Sequence, residues 1–87
     1  MNILADIAVS LQRGEDDQVA LLVQQALDEG QDAGGILHDG LLAGMAVVGD
    51  QFREREIFLP DVLLAARAMY AGLGLLKPRL AKEGVPT

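Results

Sequence analysis

Val47-Val-Gly49-Asp-Gln-Phe52-Arg-Glu-Arg-Glu-Ile57-Phe-Leu-Pro60-Asp-Val-Leu-Leu64 joins the end of one helical pattern to the start of the next. Met45, Val48 and Phe52 recur at helix spacing. A charged knot follows at Arg53, Glu54, Arg55 and Glu56. Pro60 suits a first helical turn, where its missing N–H has no intrahelical partner. Asp61 places a negative charge near the positive end of the new helix dipole. With Leu59 as the cap, Phe58 and Leu63 take the two positions of a hydrophobic staple. The corner gathers Phe52, Ile57, Phe58, Leu59, Val62 and Leu63, including both phenylalanines of the chain. These residues either close the end of a small core or cover a ligand or partner.

Outward from this corner the chain reads as helices. The first runs from about Asn2 to Gln12, with Ile3, Leu4, Ile7, Ala8 and Leu11 as its stripe. Gly14 is its stop. Glu15, Asp16 and Asp17 open a second helix with the face Val19, Leu22, Val23, Ala26 and Leu27, and Gly30 ends it. The third starts near Asp32 and reaches about Arg55, with Leu37, Leu41, Met45, Val48 and Phe52 in line. Each of its interior glycines costs about 1 kcal/mol against alanine, so it needs tertiary support. Gly40 and Gly44 lie one turn apart, where another backbone can approach closely. The fourth starts at Leu59-Pro60 with the stripe Val62, Leu63, Ala66, Met69, Tyr70, Leu73 and Leu76. Pro78 is expected to end or kink it near Lys77. Tyr70 is expected in the core with its hydroxyl at the edge. Short connections make neighbouring helices antiparallel. The fold expected is all-α, an antiparallel four-helix bundle.

The 87 residues make one domain, with 51% apolar residues and no alternating strand pattern. There is no cysteine, so neither a disulfide frame nor a thiolate metal site. A net charge of −6 argues against nucleic acid as a partner. The negative charge lies before Phe52. The remainder is weakly basic, which a solvated helix face explains as well as an acidic partner does. No apolar run is expected to span a bilayer, and the N-terminus does not read as a signal peptide. The expected location is the cytoplasm, with no membrane partner. The residues offer no catalytic centre. His38 and Asp39 are adjacent on a helix and do not share a face, so they make a poor ligand pair. Asp50, Glu54, Glu56 and Asp61 read as a solvated network with Arg53 and Arg55.

An ordered set of motifs adds a resemblance. Met45-Ala-Val-Val-Gly49-Asp-Gln-Phe52, Leu59-Pro60-Asp-Val62, Ala65-Ala66-Arg-Ala-Met69 and Leu75-Leu76-Lys77-Pro78 together resemble the helical cap of cobalamin-binding modules. Such caps occur in cobalamin-dependent methionine synthase and in the corrinoid proteins of methylamine, methanol and methoxy-aromatic methyltransferase systems. The resemblance runs from the first helix to Pro86. It implies a bundle that precedes a Rossmann-like domain and lies over the upper face of the corrin, shielding the methyl–cobalt bond. It matches Phe52, Leu59 and Val62 to the residues that face the cofactor.

The resemblance further implies a cap over 1–83 and, at 84–87, the start of a linker. The Asp-x-His-x-x-Gly motif that supplies the lower cobalt ligand is not in these residues. The chain is therefore expected to ligate no metal, and cobalamin is expected to be held mainly by a domain absent from this chain. The implied partners are that domain and methyltransferase subunits. Light-responsive relatives carry a Trp at the Phe52 position and Glu-His at Asp61-Val62. Phe52 and Val62 favour the methyl-carrier branch. The alternative is a stand-alone helical interaction module, a homodimer that buries the same corner against its twin.

Overall fold

The computed structural model describes residues 2–84. It contains four helices and, among the described residues, no strand. Helix α1 is Ile3–Gln12 and α2 is Asp16–Asp28. Helix α3 is continuous but changes type: α-helical over Ala33–Ile36, π-helical over Leu37–Leu42, α-helical again over Ala43–Arg53. Helix α4 is Leu59–Glu83. The antiparallel bundle expected from the sequence is therefore present. Helix α1 lies against α2 and α3, and α4 likewise packs on α2 and α3.

Three turns of one design connect the helices. After α1, the N–H of Glu15 donates to Ser10 O at 3.0 Å, with Gly14 at φ 71 between them. After α2, Gln31 donates to Ala26 O at 3.1 Å across Gly30 at φ 90. After α3, Glu56 donates to Gln51 O at 2.9 Å across Arg55 at φ 61. This is the Schellman pattern, which satisfies carbonyls that a helix end would otherwise leave free. Glycine takes the left-handed position at no steric cost; for an L-residue such as Arg55 it costs about 1–2 kcal/mol.

The starts of α1 and α3 are capped by side-chain acceptors, whereas Glu15 at the start of α2 makes no cap bond, so only the charge of Asp16 and Asp17 in the first turn remains of the capping expected there. Asn2 Oδ1 accepts from the Leu4 N–H at 3.0 Å, and Asp32 Oδ2 accepts from the Gly35 N–H at 2.9 Å. At α4 the cap is Phe58 rather than Leu59. Asp61 Oδ2 accepts from the Phe58 N–H at 3.0 Å, which fixes that register. The staple positions therefore move by one, to Ile57 and Val62, both packed against the core. The expected pair, Phe58 and Leu63, points outward.

Ile7 and Leu11 of α1, Val19 and Val23 of α2, Leu41 and Val48 of α3, and Leu76 and Leu80 of α4 are fully buried. The stripe of α3 departs from expectation at its start. Ile36, not Leu37, is fully buried, and it is five residues before the equally buried Leu41. The i→i+5 pattern of the π segment widens the turn by one residue, so both reach the core. The expected close approach at Gly40 and Gly44 is present. A Cβ at Gly40 would stand 3.2 Å from Ile7 Cγ2, and one at Gly44 2.9 Å from the Ala8 carbonyl oxygen.

Helix α4 is rotated from its expected stripe. Its buried line is Ala65, Ala68, Gly72, Leu76 and Leu80. A Cβ on Gly72 would meet Leu41, Val19 and Val23 side chains at 3.0–3.2 Å. Small residues let α4 settle deeply between α2 and α3, and this turns Leu63 and Tyr70 to the outside. Tyr70 is thus not a core tyrosine: it is 65% exposed.

Pro78 does not end α4, which runs on to Glu83. The helix runs on without the rung that an N–H at 78 would give the Gly74 carbonyl. Leu80, buried beyond it, holds the following turn to the bundle. The helix is also long and apolar enough to cross a membrane by length and composition, contrary to the expectation from apolar runs. Between Leu59 and Leu76 only Asp61 and Arg67 are charged. Its inner line nevertheless packs on α2. Gly84, the first residue of the expected linker, caps α4 at φ 74; positions 85–87 of that linker lie outside the described residues.

Candidate apolar cap site

The last turn of α3 and the first turns of α4 converge at one end of the bundle. Phe52 lies near the end of α3 because its stripe runs through Val48 into the Schellman turn. Leu59 is the first residue of α4, and Val62 stands one turn later. Phe52 is 45% exposed and Leu59 56% exposed, while Val62 is half-buried against the core. Two of the three candidate residues thus present large apolar surface to the outside. Phe58, at 72% exposed, adds to it.

This apolar surface continues down α4. Leu59, Leu63 and Tyr70 follow one another at steps of four and seven, so they share the face opposite Ala65, Ala68 and Gly72. Leu63 is 61% exposed. Sequence periodicity missed this ridge because it placed Leu63 and Tyr70 in the core. The signal available was the line of small residues at 65, 68 and 72, which marks where α4 packs closest.

The rim is polar and loosely joined. Arg53 pairs with Asp50, both exposed, and this is the one ion pair of the rim among the described residues. Asp61 is engaged by the Phe58 N–H. The expected network of four carboxylates and two arginines thus reduces to one ion pair and one cap. His38 and Asp39 are exposed on the π segment. Among the described residues no cluster of His, Cys, Asp and Glu could hold a metal ion. A shallow polar hollow lined by residues such as Asn2, Asp6, Gln25 and Glu29 takes no residue from the corner.

Residues 3–77 match the family model described as the B12 binding domain. Over 85 residues the chain is 41% identical to a corrinoid protein of Desulfitobacterium hafniense (strain Y51), which is 98% of this chain and 39% of that protein. It is 38% identical to trimethylamine corrinoid protein 2 of Methanosarcina acetivorans, again over 98% of this chain and 39% of the relative. Among solved structures it is similar to the monomethylamine corrinoid protein of Methanosarcina barkeri. The TM-score is 0.89 and the identity 32%, over 92% of this chain and 38% of that one. The chain thus spans about two fifths of the length of these relatives. On the match over 3–77 and these relatives, the chain belongs to the B12 binding domain family.

Proposed function

We propose that this bundle is the cap of a corrinoid methyl carrier and that Phe52, Leu59 and Val62 cover the upper face of the corrin. The observation that carries the reading is the exposed apolar corner, in a chain of this family. The bundle leaves Phe52, Phe58 and Leu59 outward at one end, and such a patch marks a docking surface. These residues suit an apolar face. They offer no nucleophile, and the carboxylate of Asp61, between Leu59 and Val62, is engaged by the Phe58 N–H. They do not suit a metal, so the cobalt would take no ligand from them.

The cofactor supplies the chemistry, carrying the methyl group on its cobalt between partner methyltransferases. The residues of this chain supply exclusion of water and a fixed lid. The corrin would be held mainly by a Rossmann-like domain that these 87 residues do not include, joined through the linker that starts at Gly84. The ridge of Leu63 and Tyr70 would rest on protein beyond the corrin edge, because Tyr70 lies about 16 Å along α4 from Leu59 at 1.5 Å per residue.

The test is equilibrium dialysis of the 87-residue chain with cobalamin, alone and with the cofactor-holding domain of a relative added in trans. Weak or no binding alone, and docking onto the loaded domain that is lost in Phe52→Asp, is the expected result. Tight stoichiometric binding by the chain alone would contradict this division of labour. The second reading, a homodimer closed over the same corner, draws on the same exposed residues. It predicts a dimer in sedimentation that Phe52→Asp dissociates and that the loaded domain does not.

A further inference from the structure

The end of α4 is tied to the start of α3. The Ala33 N–H donates to Glu83 Oε2 at 3.0 Å, and the Gly34 N–H donates to Glu83 Oε1 at 3.3 Å. The next N–H, of Gly35, donates to Asp32 Oδ2 at 2.9 Å. A helix leaves its first N–H groups without intrahelical partners. In α3 a carboxylate from 50 residues away takes the first of them. Charge-assisted bonds of this kind are stronger than neutral ones, and the carboxylate also meets the positive end of the α3 dipole.

The path to Glu83 crosses a weak point. Pro78 has no N–H for the Gly74 carbonyl, so α4 lacks a rung there. Glycine at 74 adds backbone freedom on the other side of the same rung. Beyond Pro78 only Leu80 is buried; Arg79, Ala81, Lys82, Glu83 and Gly84 are exposed. The match to the family model also stops at 77, just before this segment.

We propose that residues 78–84 form a strap, hinged at Pro78, seated by Leu80 and latched by Glu83, that leaves the bundle as one unit while α1, α2 and the rest of α4 stay folded. Released, the segment pivots about Pro78; latched, it is held against the start of α3. The inference uses no residue of the apolar corner, so it stands or falls separately from the cap reading.

Amide hydrogen exchange, followed residue by residue in the whole 87-residue chain, tests it. Opening of the strap should expose Ala33, Gly34 and residues 79–83 together, and these amides should exchange faster than those of Val23 and Leu76. Glu83→Ala should speed exchange at Ala33, Gly34 and 81–83 about tenfold relative to Val23 and Leu76. Glu83→Gln, which keeps one acceptor oxygen, should fall between. Pro78→Ala restores the rung and should slow residues 79–83 relative to the same core amides. If Glu83→Ala speeds every amide by one common factor, or leaves Ala33 and Gly34 unchanged, the strap does not exist as a unit. If Pro78→Ala leaves 79–83 unchanged against the core, the hinge is misplaced and the proposal is overturned.

Discussion

Gly44 of α3 lies directly against Ala8 of α1: a Cβ on Gly44 would stand 2.9 Å from the Ala8 carbonyl oxygen and 3.1 Å from its Cα. Neither atom belongs to a flexible side chain, so the helices themselves would have to part. Gly49, one turn and a half later on α3, has nothing within 4 Å of the same point. The two glycines should therefore respond with opposite signs. Gly44→Ala should lower stability by about 1–3 kcal/mol through overpacking. Gly49→Ala should raise it by about 0.5–1 kcal/mol, because alanine loses less conformational freedom in a helix. Urea unfolding of both variants checks this. Equal effects would mean that α1 and α3 are not in close contact.

Arg55 occupies, at φ 61, the turn position that Gly14 and Gly30 hold after α1 and α2. It makes no ion pair among the described residues to offset that conformation. Arg55→Gly should stabilise the chain by about 1 kcal/mol, the size of the left-handed penalty. A thermal melt reads it directly. A lower melting temperature would show that the arginine side chain has a stabilising contact that outweighs the backbone strain.

Phe58 caps α4 without a side-chain acceptor. Its ring is exposed, so it contributes little to the core. Phe58→Ser would complete a capping box with Asp61, whose carboxylate already holds the residue 58 N–H at 3.0 Å. The expected gain is about 1 kcal/mol. The same substitution should weaken docking of the cofactor-holding domain if the ring lies at that interface. A more stable variant with unchanged docking would remove Phe58 from the docking surface.

The sequence made some of this architecture readable and hid the rest for physical reasons. Gly14 and Gly30 announce helix ends because glycine favours the left-handed turn, and Pro60 with Asp61 announces the start of α4. Gly40 and Gly44 announce a close helix contact by their spacing. The π segment is silent, since a step of five from Ile36 to Leu41 looks, on a four-residue rhythm, like Leu37 to Leu41. The rotation of α4 is hidden for a different reason. Leu63 and Tyr70 are apolar, and hydropathy alone places apolar residues inside. Only the small residues Ala65, Ala68 and Gly72 mark the true inner line. Pro78 misleads because the rule against helical proline weighs only the lost rung and the crowding at the carbonyl four residues back, whereas the buried Leu80 and the bonds of Glu83 to the start of α3 hold the last turn in place. At the candidate site, Phe52, Leu59 and Val62 were legible by resemblance to a family, whereas the outward ridge that extends from them required the fold.

The central claim is that Phe52 is a lid residue rather than a core residue. Leu41 is fully buried, and Leu41→Ala should cost about 2–5 kcal/mol. Phe52 is nearly half exposed, so Phe52→Ala should cost clearly less in thermal melts of the 87-residue chain. The decisive measurement is the photolysis rate of the methyl–cobalt bond when this chain is joined to the methylcobalamin-loaded cofactor-holding domain of a relative, with and without Phe52→Ala. Faster photolysis in the variant, with a small change in melting temperature, is the predicted result: a methyl radical is no longer held beside the cobalt. A variant that melts as badly as Leu41→Ala and photolyses at the unchanged rate would contradict the account.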